Sequence, residues 1–267
     1  MPKESVAYAL YPLWKRMLRL RARDLPRVAR KMRDLIVRDE FTNIYSSVQP
    51  FTMLNHSRAR ALYDGVRRIV ADDVPGDIVE CGTARGGSAA LMALTLKRLR
   101  QHRPDRKILA FDTFDGLPPP SADDPDYEIA RYWTGQCRGD LDDVRALFRE
   151  LGVADITECI KGLFQDTLPR SQAHPIALLH LDGDWYESIR VCLENLWDRV
   201  SPCGIVQIDD YGAWAGARKA VDEFLSARRL SIRLRYIDPT GRQITKINPT
   251  EIWPFESVKH DQGSTRS

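Results

Sequence analysis

The chain has 267 residues, 43% of them hydrophobic and 29% charged, with a formal net charge of +3, an ordinary balance for a soluble globular protein. No apolar run approaches the roughly 18 residues needed to cross a bilayer, and nothing after Met1-Pro2-Lys3-Glu4 reads as a secretory signal. The five cysteines (Cys81, Cys137, Cys159, Cys192 and Cys203) are odd in number, scattered and without C-x-x-C spacing, which argues against a disulfide frame or a zinc site and for free thiols in a reducing cytoplasm.

Residues 1–45 read as helices broken near Pro26, and they hold the chain's excess of positive charge. Residues 1–40 carry eleven Lys or Arg against five Asp or Glu, so the remainder is net acidic. Such a stretch can bind nucleic acid or an anionic membrane. The expectation here is a solvated helical face with Leu18, Leu20, Leu25, Val28 and Leu35 turned inward, and neither nucleic acid nor membrane is expected as a partner. Residues 57–72 form a further helix, with Ala61, Leu62, Val66, Ile69 and Val70 at helical spacing.

From residue 77 short apolar runs alternate with helical stretches, the pattern of a parallel sheet with helices on both faces. The strands are expected at Asp77–Cys81, Lys107–Asp112, Ile156–Lys161, Ile176–Asp182 and Gly204–Asp210, and Ile232–Ile237 with Gln243–Asn248 fit a closing pair. Helices are expected over 86–100, 141–151, 186–200 and 214–228. The polar stretch 113–140, with Pro118-Pro119-Pro120, is too long for a simple connection and reads as a functional loop or lid. The division expected is a helical lid over 1–50, a main domain over 51–255 and a flexible tail over 256–267.

The first strand runs into Glu80-Cys-Gly-Thr-Ala-Arg-Gly-Gly-Ser88. Glycines at 82, 86 and 87 let backbone approach a ligand closely, but they do not make the G-x-G-x-x-G of a pyrophosphate turn. The spacing suits a cofactor with an amino-acid tail, whose positive charge Glu80 would answer. Asp112 ends the second strand about 30 residues after Gly82, where an acid can accept hydrogen bonds from ribose hydroxyls. A simple turn or cap aspartate is the other reading. Asp182-Gly-Asp184 follows the fourth strand and Asp209-Asp210 ends the fifth. Adjacent parallel strands bring these acids together, and their repulsion calls for a cation. Mg²⁺ with oxygen ligands answers it and lowers the pKa of a bound hydroxyl. Helix capping explains one acid per strand but not two. His180 lies on the same face as Asp182, as a base or as a buried hydrogen-bonded residue below the site.

These motifs, with Phe111-Asp-Thr-Phe-Asp-Gly-Leu-Pro, Lys161-Gly-Leu-Phe-Gln-Asp-Thr-Leu-Pro and Ile208-Asp-Asp-Tyr, resemble the macrocin O-methyltransferase family over about residues 45–250. The resemblance implies a class I, Rossmann-like S-adenosylmethionine methyltransferase fold with an N-terminal helical lid. The cofactors it implies are S-adenosyl-L-methionine and Mg²⁺. It places the metal on Asp182, Asp209 and Asp210, the general base at Asp184, and the cofactor at Glu80, Gly82, Ser88 and Asp112. The acceptor it implies is a small-molecule glycoside of antibiotic biosynthesis, and the chain is expected to act as a homo-oligomer. Two departures stand out: Ala84, where an aromatic is common, and His180, where an arginine is common. A phenolic or catechol hydroxyl is the alternative acceptor, since Trp133, Trp185 and Trp214 suit a flat pocket as well as a sugar face.

Overall fold

Buried, β-branched runs separated by amphipathic stretches form a single mixed sheet in a computed structural model, which describes residues 40–99, 105–171 and 175–246. Residues 1–47 and 48–267 are separate compact units. Residues 40–48 are helical; the rest of the expected lid and the expected tail lie outside the described residues. The sheet belongs to the second unit. Its strands are β1 (Asp77–Cys81), β2 (Ile108–Asp112), β3 (Thr157–Lys161), β4 (Ile176–Leu181), β5 (Val200–Ile208), β6 (Arg235–Tyr236) and β7 (Arg242–Thr245). Their order is β3-β2-β1-β4-β5-β7-β6, with β7 antiparallel to β5 and β6 and all other pairs parallel. The helices are α1 (His56–Ala71), α2 (Gly87–Arg98), α3 (Leu141–Glu150), α4 (Tyr186–Leu196) and α5 (Ala215–Ala227). None of the described helices is long and apolar enough to cross a membrane.

The expected elements recur with shifted ends. β5 begins at Val200 rather than Gly204 because Val200 pairs with Ile176 ahead of an irregularity in the ladder. The stretch 113–140 is not bare loop; it holds a helical turn at Tyr127–Ala130 followed by a 3₁₀ turn at Arg131–Trp133.

Alternation along the strands separates two faces. Val79, Cys81, Leu179, Leu181, Val206 and Ile208 join one core with Ile189, Leu193, Ala217 and Val221 of α4 and α5. The opposite face meets α1, where Gly65 lets the helix approach Leu178 and Ile205. That face carries a polar row in register across the sheet, Glu80–His180–Gln207–Gln243.

Two features fix the carboxyl edge. Gly82 follows β1 with φ +96°, and a Cβ there would lie 1.8 Å from the carbonyl oxygen of Asp182. Only glycine permits both the left-handed backbone and this approach. The second feature is capping at a distance. Neither α4 nor α5 has a side-chain cap from its own N-cap residue, Trp185 or Trp214. The loop supplies the acceptors instead: Tyr186 N donates to Asp124 Oδ1 at 2.6 Å, and Ala215 N donates to Asp126 Oδ2 at 2.5 Å. Asp124 is buried and also accepts from Ser121 N at 2.8 Å.

Two outcomes are expected. Gly82→Ala destabilises the fold by about 2 kcal/mol or more, through strain and displacement of the 182 backbone; an unchanged urea midpoint would contradict the required approach. Asp124→Ala costs roughly 1–2 kcal/mol and frees the loop, so protease cleavage within 113–140 accelerates. A loop as resistant as in the wild type would show that Asp124 is no latch.

Candidate active site

The parallel ladder continues one step past the strand ends. Asp182 N donates to Cys81 O at 2.8 Å, Asp209 N to Leu181 O at 2.9 Å, and Gly82 N to Phe111 O at 2.9 Å. This continuation sets the acids after β4 and β5 side by side, next to the glycine turn after β1. Carboxylate oxygens of Asp182, Asp209 and Asp210 all lie within 4.8 Å of one another. Burial, then mutual repulsion, pushes Asp182 and Asp210 well above the usual carboxylate range. Asp184 sits just outside the trio in the left-handed region, φ +57°, which Asp tolerates better than most residues. Its Oδ1 accepts from Trp214 Nε1 at 2.8 Å, and its backbone nitrogen donates to Asp210 Oδ2 at 3.3 Å. Burial raises its pKa to about 7, against the lowering effect of the Trp214 bond. Capping does not account for these acids, since Asp124 and Asp126 take that role.

Two cations already stand in the cluster. Arg58, in the first turn of α1, donates from a guanidinium NH to Asp209 Oδ2. His180 is fully buried, with Nδ1 3.0 Å from Glu80 Oε1 and Nε2 3.8 Å from Asp209 Oδ1. Burial works to lower its pKa, but the flanking Asp209 and Glu80 carboxylates prevail and hold it at about 9. The carboxylates of Glu80, Asp182, Asp184, Asp209 and Asp210 therefore outnumber the resident cations. Two buried carboxylate oxygens of this group, Asp209 Oδ1 and Glu80 Oε2, have no hydrogen-bond partner.

A cavity of about 340 Å³ opens at this edge, at the point where strand order reverses between β1 and β4, the usual place for a ligand in such sheets. Gly82, Asp112, Asp182 and Asp184 line it, with Leu117, Phe164 and Trp185 as apolar wall. Ser88 lines an adjoining cavity of about 190 Å³ that shares Ala84, Cys137 and Asp182 with the first. Glu80 lines neither cavity. Its Oε1 is spent on His180 rather than presented to a cofactor. Asp112 is also more occupied than its place at a strand end suggests. Its Oδ2 accepts from Thr83 N at 2.7 Å and Ala84 N at 2.8 Å, and its Oδ1 from Phe114 N at 2.6 Å. It therefore braces the glycine turn with the same carboxylate that faces the cavity.

The three tryptophans gather edge-on rather than as one flat face, and of the three Trp185 lines the larger cavity. Trp214 meets Trp185 edge-on at 4.9 Å and Trp133 at 6.1 Å. Trp185 is buried and donates to Pro118 O at 2.7 Å, whereas Trp133 remains 45% exposed. Sequence reasoning missed Arg58 and the capping acids. The one available signal for Arg58 was Asn55 as a capping residue, whose side chain accepts from Ser57 N and Arg58 N and so sets the start of α1.

The model of the macrocin-O-methyltransferase family matches residues 13–246. A Streptomyces olivaceus protein, 8-demethyl-8-(2,3-dimethoxy-alpha-L-rhamnosyl)-tetracenomycin-C 4'-O-methyltransferase, is 38% identical over 196 residues, which are 71% of this chain and 73% of that one. Demethyldecarbamoylnovobiocin O-methyltransferase of Streptomyces niveus is 34% identical, with the same coverage of both chains. The solved structure of the O-methyltransferase NovP is similar with a TM-score of 0.69 and 31% identity, over 74% of this chain and 83% of that one. With its glycine turn, its strand order and this match over most of its length, the chain belongs to the macrocin-O-methyltransferase family and is an O-methyltransferase of the class I, S-adenosylmethionine-dependent fold.

Proposed function

We propose that this enzyme transfers the methyl group of S-adenosylmethionine to a sugar hydroxyl of a glycosylated small molecule. In this reading Asp182, Asp209 and Asp210 hold Mg²⁺ and Asp184 takes the proton. The observation that carries it is the carboxylate trio, within 4.8 Å of one another, beside an acid that lines the cavity. Its all-oxygen donor set, with the orphaned Asp209 Oδ1, fits a hard divalent cation that keeps part of its water shell. The sugar rests on the relatives, two of which are named for methylation of a rhamnosyl-tetracenomycin and of a novobiocin precursor.

When bound, the metal polarises the acceptor hydroxyl and S-adenosylmethionine carries the methyl group. The chain does the rest. Gly82 and Asp112 border the larger cavity and Ser88 the adjoining one, so these residues would hold the cofactor, with Asp112 bracing the turn after β1 through the Thr83 and Ala84 amides. Asp184 would accept the proton that the acceptor hydroxyl loses on methylation. It is not one of the trio, so its carboxylate is free for this role, and Trp214 and Asp210 fix its side chain and backbone. His180 is enclosed and lines no part of the cavity, which favours Asp184 as the base. Trp185 and Pro118 help to keep water from the reacting atoms.

Two experiments test this. In single-turnover assays with a rhamnosylated acceptor, excess chelator is expected to abolish methyl transfer and Mg²⁺ to restore it. Asp184→Asn keeps cofactor binding but loses about 10²–10⁴ in rate, the usual share of a positioned base. Full activity under chelation removes the metal, a near-wild-type rate for Asp184→Asn removes the base, and transfer only to catechols removes the sugar. In calorimetry, Asp112→Ala is expected to weaken S-adenosylmethionine binding by about tenfold or more, roughly 1.4 kcal/mol, because the glycine turn loses the two backbone hydrogen bonds from Thr83 N and Ala84 N. Equal affinity would separate Asp112 from the cofactor site.

A further inference from the structure

Arg58 of α1 enters the carboxylate cluster and is held between two acids. Its guanidinium donates to Asp209 Oδ2, while Nε lies 3.3 Å from Asp238 Oδ2. Asp238 is not an incidental partner. Its Oδ1 accepts from Thr240 N at 2.9 Å and Gly241 N at 2.6 Å, and its Oδ2 from Asn55 Nδ2 at 2.6 Å. Asn55 caps α1, Gln207 Nε2 donates to Arg58 O at 3.2 Å, and Gly241 leaves room for the Arg58 stem. The cap, the β5 face and the turn before β7 thus place the guanidinium against Asp209 and supply a second carboxylate beside it.

We propose that Arg58 is a displaceable counter-cation of the metal site: it neutralises Asp209 when no metal is bound, and it moves fully onto Asp238 when a divalent ion takes Asp209. The inference rests on the metal reading given above and adds to it a residue that sets the affinity of the site. Three features carry it. Asp209 is only 2% exposed, and a buried carboxylate without a partner is costly. Arg58 binds one oxygen of Asp209, while the other, Oδ1, makes no hydrogen bond and has His180 Nε2 3.8 Å away. A guanidinium and a divalent ion pressed on one carboxylate repel each other strongly at such range, and Asp238 offers the guanidinium another carboxylate within reach.

The test is Mn²⁺ affinity by calorimetry and by electron paramagnetic resonance, with the full chain and without acceptor. Arg58→Met is expected to bind Mn²⁺ about tenfold more tightly than the wild type or better. Its metal-free form melts lower than the wild type, and its rise in Tm on adding Mn²⁺ is larger. Arg58→Lys keeps the charge and stays close to the wild type. Asp238→Asn retains an acceptor oxygen for the turn but withdraws the second charge, so Mn²⁺ binds more weakly. Equal or weaker binding by Arg58→Met overturns the inference and leaves the metal reading standing. If Arg58→Met does not fold with or without Mn²⁺, Asp238→Asn decides alone, and affinity unchanged or tightened there is equally fatal. Absence of Mn²⁺ binding to the wild type and to every variant defeats the metal reading, and this inference with it.

Discussion

Carboxylates buried together repel one another and lose their hydration, so a sheet edge that gathers Asp182, Asp184, Asp209 and Asp210 is unstable until positive charge reaches it. Much of this molecule is arranged around that constraint. Arg58 comes down from α1 onto Asp209, and His180 stands between Glu80 and Asp209 from below. What positive charge these do not supply shows in Asp182 and Asp210, whose affinity for protons is driven up by burial and by their neighbours. In the proposed reading a hard cation would relieve the same repulsion that a proton relieves.

The polar row across the α1 face explains how a helix that borders an apolar core can carry such a residue. Glu80, His180, Gln207 and Gln243 sit in register on four neighbouring strands. Gln207 reaches up to the carbonyl of Arg58, and Gln243 Nε2 lies 3.5 Å from Gln207 Oε1. Buried polar groups persist where they find partners, and here the partnering runs along the row itself and out to the Arg58 carbonyl and Arg235. His180, whose pKa the flanking Asp209 and Glu80 raise to about 9 against the effect of burial, supplies positive charge at this point of the row.

On the other side of the cavity, the loop between β2 and α3 binds helices rather than merely covering them. Asp124 and Asp126 satisfy the first backbone amides of α4 and α5, which leaves the acids after β4 and β5 unburdened by capping. The same loop supplies Pro118 to Trp185 and Trp133 to Trp214. Trp214 in turn holds Asp184, so loop, aromatic wall and proposed base form one connected assembly. A displacement of the loop is therefore felt at the reacting edge through direct contacts.

Periodicity and turn chemistry were enough to place the strands, to see that Gly82 begins a tight turn at their carboxyl edge, and to pair the acids after the fourth strand with those after the fifth. These are local or nearest-neighbour properties. Alternating burial is written every second residue, and parallel strands joined by helices align their carboxyl ends. The start of β5 was less legible, since Val200 joins the ladder only because Ile176 lies opposite. Still less legible were partnerships that depend on elements far apart in the chain. Arg58 meets Asp209 across 151 positions, and Asp126 caps a helix 89 positions away. Asp112 looks like a free acid at a strand end until the fold brings the amides of Thr83 and Ala84 to it. Residue type and spacing determined which groups could do chemistry and at which edge. Only tertiary packing decided which of them are free to do it, because a carboxylate is committed or available according to the donors and charges that the rest of the chain folds against it.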